Sequence, residues 1–300
     1  MIQQLIEGVE SDIDVAHFKV APLLSVGLRY ALISGAAYFI FYVWKKNRYH
    51  CAKIQWRYPE NKDVLREIFY STVTLLIFGA SISFVAWADY HRYSWSYPHI
   101  SDYGWAYFFL SIVLMIFAHD AYFYFMHRLL HWKPLFRTVH KIHHQSINPT
   151  PFAAFAFHPV EGVINGAIFP IVAFIIPHQN VAILAFGTYS ILLNVMGHVG
   201  FEFFPKYFSK HWLFKWHNSA THHNMHHSHV KCNFGLYFNI WDRLLNTNHP
   251  DYEARFDKVI TIREEAQIAQ LEQTGIVRKV KVKELVVPEP HQPEQHTVSA

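Results

Sequence analysis

HRLLHWKPLFRTVHKIHH, residues 127–144, places five histidines in eighteen positions, directly after an apolar and aromatic run that ends at Met126. His127 and His131 are spaced i, i+4. His140, His143 and His144 form an HxxHH pattern, which on an α-helix gathers three rings into a sector of about 100°. HNSATHHNMHHSH, residues 217–229, repeats the pattern with His223, His226 and His227. At this chain's histidine frequency, chance supplies about 0.1 copies of HxxHH, so two copies need a physical reason. An interfacial role for these rings requires no helical register and would accept Lys or Arg equally. Metal ligation does require the register, and neutral imidazole is the commonest metal ligand.

The rest of the chain says where these rings sit. It has 300 residues, 52% hydrophobic, 17% aromatic and only 16% charged, and a charge deficit of that size points to a membrane protein with substantial polar parts. Apolar stretches at 20–44, 68–88, 105–126, 160–176 and 181–199 are candidate spans. The first is interrupted by Arg29, which has to snorkel or pair. The last two are joined only by PHQN, which predicts a tight hairpin that does not necessarily cross. The loop after the first span carries seven Lys and Arg residues, and the loops after the third and fifth are also basic. The intervening ones carry one or none, which predicts an outside N-terminus and cytoplasmic histidine clusters and C-terminus. The expected architecture is all-α, a polytopic membrane helical bundle with a cytoplasmic histidine-rich helical cap. Its expected parts are a retained non-cytoplasmic segment (1–19), N-terminal transmembrane helices (20–104), the histidine-bearing domain (105–250) and a cytoplasmic, partly disordered tail (251–300). Within that tail REEAQIAQLEQ reads as a short amphipathic helix and VVPEPHQPEQHTVSA as disorder.

Composition argues against other classes, leaving a metal transport or binding membrane protein as a lesser alternative. A net charge of +4 with no aromatic-interleaved basic patch argues against nucleic-acid binding. Two cysteines, Cys51 and Cys232, make no disulfide framework and no CxxC. A metal transporter needs ionisable residues through several spans, and 68–88 has none. Eight imidazoles are too many for one four-coordinate ion; they suit two metals with open positions. An all-nitrogen shell keeps such a centre cationic, which suits O₂ activation. Asp120 lies two helical turns before His127, and Glu161 and Asp242 are further carboxylates that could accept a ligand's second ring N–H. Asn194, four residues before His198, is a candidate for the same task. Tyr122, Phe123, Tyr124, Phe125, Phe152, Phe155 and Phe157 are candidates for a substrate channel.

At these residues the chain resembles the fatty acid hydroxylase superfamily, which includes sterol desaturases and sphingolipid hydroxylases. The resemblance runs from about Ala118 to Asn246 through HRLLHW, HKIHH, TPFAAFAFHPVEG, THHNMHH and NFGLYFNIWDRLLNT, and is nearest to the sterol C5-desaturase branch. It implies two iron ions, O₂ as co-substrate, and hydroxylation or desaturation of a sterol-like or fatty acyl lipid drawn from the bilayer. It implies as ligands His127, His131, His140, His143, His144, His223, His226 and His227, adds His198, and raises His158. His222 offers an alternative register with His226. A carotenoid or ether-lipid oxygenase on the same scaffold is the alternative. The HP pairs at 158 and 249 lack the HPGG of a cytochrome b5 domain. Electrons from NAD(P)H are therefore expected through a separate cytochrome b5- or ferredoxin-like protein, in a bacterial inner membrane or the ER.

Overall fold

A computed structural model describes residues 20–273; the segment 1–19 and the VVPEPHQPEQHTVSA tail lie outside the described residues. Among these the chain is helical, with isolated bridges but no strand. Four helices are long and apolar enough to cross a membrane: Ala21–Trp44, Asn61–Tyr90, Gly104–Leu130 and Asn180–His198.

Helix α1 (Ala21–Tyr38) continues as a π-helical turn, Phe39–Trp44. Leu24, Leu28 and Leu32 are exposed along one stripe, while Val26, Tyr30 and Ser34 are buried along another, the division expected of a helix between lipid and bundle. Arg29 is satisfied within the bundle, donating to Ser25 O, Leu184 O and Thr188 Oγ1 at 3.0–3.2 Å. Helix α2 (Asn61–Tyr90) is about 45 Å long at 1.5 Å per residue. Ser71 Oγ on α2 and Tyr30 Oη on α1 both donate to Phe152 O at 2.7 Å, fixing the turn that follows the first histidine cluster. Helix α3 (Gly104–Leu130) carries His127 in its last turn and ends at His131. A π-helical turn, Phe136–His140, then leads into the four-residue α4 (Lys141–His144).

The apolar segment after His158 is two short helices, α5 (Pro159–Gly166) and α6 (Ile168–Ile175). The break has a local cause. Pro170 has no N–H to give to Gly166 O, and Ser81 Oγ of α2 fills that acceptor at 2.7 Å. The segment is too short to count among the long spans, yet it carries the chain away from the histidines. Beyond it, His178 exchanges backbone hydrogen bonds with Trp95 and Tyr97 of the α2–α3 loop. Helix α7 (Asn180–His198) then returns to the histidine end.

Helix α8 (Ala220–His229) is followed by α9 (Ile240–Leu244) and α10 (Tyr252–Gln273). The last begins well before the predicted REEAQIAQLEQ helix. It buries Tyr252, Phe256, Val259 and Ile260, so the chain past residue 250 packs on the cap.

Candidate metal centre

Helix α8, ATHHNMHHSH, is polar nearly throughout, yet every residue from Ala220 to His227 is buried. Ser219 starts it by accepting the His222 N–H at 3.2 Å, and Glu202 anchors its first turn through Thr221 N and Oγ1 at 3.0 and 2.8 Å. Val230 ends it in the left-handed region, φ 36°, a costly conformation for a β-branched residue. That turn brings Cys232 O within 2.7 Å of His226 Nδ1. Burying so many imidazoles is unfavourable unless they have partners.

Their partners are one another, in two groups. His127, His131, His140, His144 and His226 form one, and His143, His198, His223 and His227 the other; within each, the nearest ring nitrogens all lie within 4.8 Å. Each HxxHH motif divides between the groups. The i, i+4 pair of His140 and His144 joins the first group and His143, one position along, turns to the second. In α8 the assignment is reversed: His223 and His227 join the second group and His226 the first. The groups touch, with ring centroids of His144 and His227 5.0 Å apart and those of His140 and His143 5.5 Å apart.

The protonation pattern favours a cation over hydrogen bonding. His127 Nδ1 faces Phe234 O, His140 Nδ1 faces Glu161 Oε1, and His198 Nδ1 faces Asn194 O, each at 2.8 Å. Each of these nitrogens, like His226 Nδ1, is assigned as the N–H donor, which leaves a lone pair on Nε2. Yet His127 Nε2 and His140 Nε2 stand 3.1 Å apart. Two lone pairs repel at that separation unless a positive ion lies beside them. His226 Nε2 is buried with no protein partner at all. In the second group His198 Nε2 lies 3.0 Å from His223 Nε2 and 3.3–3.4 Å from those of His227 and His143. Imidazole nitrogens bound about 2.0–2.1 Å from one ion lie about 3.0–3.4 Å from each other. The donor sets therefore fit one metal ion each. Burial, reinforced by neighbouring imidazoles, holds His140, His143, His144, His223, His226 and His227 well below the usual histidine range. Neutral rings are the form that ligates.

The structure gathers the nine expected histidines and leaves two out. His158 caps α5, its Nδ1 accepting the Val160 N–H at 3.2 Å, outside both groups. His222 points to the other side of α8, its Nε2 3.2 Å from Asn248 Oδ1, and joins neither group. Glu161 is the one expected acceptor whose side chain takes a ring N–H from the two groups. Asp120 instead accepts Tyr237 N and Phe238 N at 2.9 and 3.1 Å. Asp242 accepts Phe234 N, Gly235 N and Thr247 Oγ1 at 2.7–2.8 Å, and thereby sets the Phe234 carbonyl that His127 uses. Asn194 serves His198 through its backbone oxygen, while its side chain donates to Ala154 O at 2.8 Å. The remaining acceptors, Phe234 O and Cys232 O, are backbone atoms with no side-chain signal in the sequence. Of the aromatic candidates, Phe123, Phe155 and Phe157 line a small cavity beneath the centre. Tyr122 is tied to Ile164 O, and Phe125 is exposed.

The family model for fatty acid hydroxylase matches residues 112–247, which contain all nine rings. Delta(7)-sterol 5(6)-desaturase erg31 of Schizosaccharomyces pombe is 32% identical over 221 residues, covering 72% of this chain and 71% of that protein. Lathosterol oxidase of Rattus norvegicus is 33% identical over 187 residues, covering 61% of this chain and 60% of that protein. No solved structure matches the chain. With membrane-length helices, two buried imidazole groups and these similarities together, the protein belongs to the fatty acid hydroxylase family, as an integral membrane oxidoreductase that modifies lipids.

Proposed function

We propose that the two histidine groups hold two iron ions facing the cytoplasm, and that the protein hydroxylates or desaturates a sterol-like lipid. O₂ would be the co-substrate, with electrons delivered from NAD(P)H by a separate carrier. The observation that carries this reading is the convergence of nine imidazoles, eight buried and His131 half-buried, in two adjoining groups, with the Nε2 lone pairs of His127, His140, His198 and His226 left free. The sterol assignment rests on relatives named for sterol desaturation; a fatty acyl substrate is the second form of the same reading.

When bound, the iron pair supplies the oxidising power needed to remove hydrogen from an unactivated C–H bond. The chain's own residues do the rest. Phe234 O, Glu161, Asn194 O and Cys232 O each hold one ring by its Nδ1–H, so that four Nε2 lone pairs are aimed before metal arrives. Phe157 packs 5.0 Å from the His143 ring, and with Phe155 and Phe123 keeps the inner side apolar. The bundle beneath admits a lipid and discourages water, which limits hydrolysis and stray oxidation.

Metal analysis of the purified protein, with lipid analysis of cells grown under ¹⁸O₂ with and without the gene, tests this. About two irons per chain and a labelled alcohol or a new double bond are expected. A folded sample without stoichiometric metal, or lipids that are unchanged, overturns it.

A further inference from the structure

We propose that a cavity between α1 and α7 binds a lipid alcohol, and that the side-chain amide of Asn218 takes its hydroxyl. The proposal rests on the reading of the histidine groups as a lipid-oxidising centre, and names how the lipid is held. The cavity measures about 520 Å³, within the range of about 300–1,000 Å³ typical of enclosed ligand sites. Ile33 and Ala37 of α1 and Ile40 of the π-helical turn after it form one wall, and Leu192, Val195 and Met196 of α7 the other. Leu192 and Met196 are also exposed on the outside of the bundle, so the cavity opens sideways between two membrane-length helices. Arg29 clasps the same two helices nearer their N-termini through Leu184 O and Thr188 Oγ1, and the opening lies on the histidine side of that clasp.

The closed wall comes from Asn218, Ser219, Ala220 and His223, and His223 belongs to the four-histidine group. Gly197 lines the cavity beside it; a Cβ there would rest on the His223 ring at 3.7 Å, and glycine leaves that edge uncovered. Asn218 is only 8% exposed, and neither its Oδ1 nor its Nδ2 has a protein partner. Its backbone, in contrast, is fully engaged: Asn218 N donates to Tyr237 O at 2.9 Å, and its carbonyl accepts from His217 Nδ1 at 2.8 Å. A buried amide with both polar atoms unmatched, on a backbone held at both its N–H and its carbonyl, is rare in folded proteins and marks a site completed by something else. One free acceptor beside one free donor matches a group that both donates and accepts. A hydroxyl does so. A carboxylate or phosphodiester offers acceptors only and would leave Oδ1 facing oxygen lone pairs, and a plain hydrocarbon end would leave both atoms bare. A lipid held this way presents the carbons near its oxygen, rather than its far tail, to the wall that carries His223.

The test uses the full-length, iron-loaded protein in nanodiscs. Binding of the fluorescent sterol dehydroergosterol and of its 3-O-methyl ether is read by energy transfer from tryptophan. The wild type is expected to hold the free alcohol at least about tenfold more tightly than the ether. Asn218→Leu should narrow the difference to less than about twofold, and Ala37→Trp, which fills the cavity, should weaken both. A ceramide and its 3-O-methyl ether, as competitors, separate the two kinds of lipid alcohol; an Asn218-dependent preference for either supports the proposal. Equal binding of alcohol and ether by the wild type in both lipid classes overturns it, and needs no variant that could misfold. An unchanged preference in Asn218→Leu, or tight binding in Ala37→Trp, overturns it equally. Iron content measured on the same samples keeps the two readings apart. Two irons without an alcohol preference sinks only this inference, whereas an Asn218-dependent preference without iron sinks only the metal reading.

Discussion

Glu161 Oε1 accepts the Nδ1–H of His140 across 2.8 Å, with both side chains buried. The carboxylate fixes the ring's tautomer and raises the basicity of Nε2, the nitrogen that would face a metal ion. Glu161→Gln keeps an acceptor but removes the charge, and is expected to weaken iron binding by about 10- to 100-fold. Glu161→Ala, which leaves the ring N–H without its acceptor, should weaken it further. Titration of iron into metal-stripped protein reads both; wild-type affinity in Glu161→Ala would reduce the pair to a packing contact.

His143 and His144 are sequence neighbours that serve different groups. His143→Ala is therefore expected to loosen one ion and His144→Ala the other, each taking the iron content from about two to about one per chain and turnover down by more than about a hundredfold. His222→Ala should leave iron unchanged. His158→Ala should also keep its iron while losing about 0.5–2 kcal/mol of stability from the lost cap. Elemental analysis alongside thermal unfolding separates these outcomes, and iron loss in His222→Ala would contradict the ring assignment.

The helical class and eight of the nine gathered rings were legible because register and hydropathy are local properties of the chain, whereas His198 was reached only through the family resemblance. Spacing alone placed His140, His143 and His144 on one face, but it could not say that the motif divides between two groups. That division depends on where α3, α7 and α8 meet. The carboxylates were harder. Asp120 and Glu161 look equivalent in sequence, each a lone acid beside an apolar helix, yet one reaches Tyr237 N and Phe238 N and the other the His140 ring. The acceptors for His127 and His226 are carbonyls of Phe234 and Cys232, and every residue has a carbonyl, so no residue type could announce them. His158 carried the right chemistry and a family position, and His222 an alternative i, i+4 spacing with His226; one caps a helix and the other turns to Asn248.

Asp242 illustrates how a residue can serve the centre without touching it. It accepts the N–H groups of Phe234 and Gly235 and the hydroxyl of Thr247, and the Phe234 carbonyl it holds in place receives His127 Nδ1–H. Asp242→Ala leaves buried donors unmatched, at a cost of about 1–3 kcal/mol for each. A lower unfolding temperature is expected together with selective iron loss from the five-histidine group. Asp242→Asn retains one acceptor oxygen and should fall between the two. A destabilised Asp242→Ala that binds both ions normally would break the link from Asp242 through Phe234 to His127.

Acid should release the metal and then the fold, and the sign follows from the rings. Burial and neighbouring imidazoles lower the titration of His140, His143, His144, His223, His226 and His227 well below 6.5. In the unfolded chain the same rings take up protons near pH 6.5. Below that value the unfolded state binds more protons than the folded one, so the stabilisation is complete above about pH 6.5 and declines as pH falls. Each such ring contributes a slope approaching about 1.4 kcal/mol per pH unit, so six acting together make the loss steep. Protons also compete with metal for Nε2, which places iron release in the same window or just ahead of unfolding. Iron retention and unfolding temperature, followed from pH 8 to pH 5 with and without added iron, are expected to fall together, with excess iron moving the transition to lower pH. A flat response across that interval would mean that the rings are not the buried, neutral, ion-holding set described above.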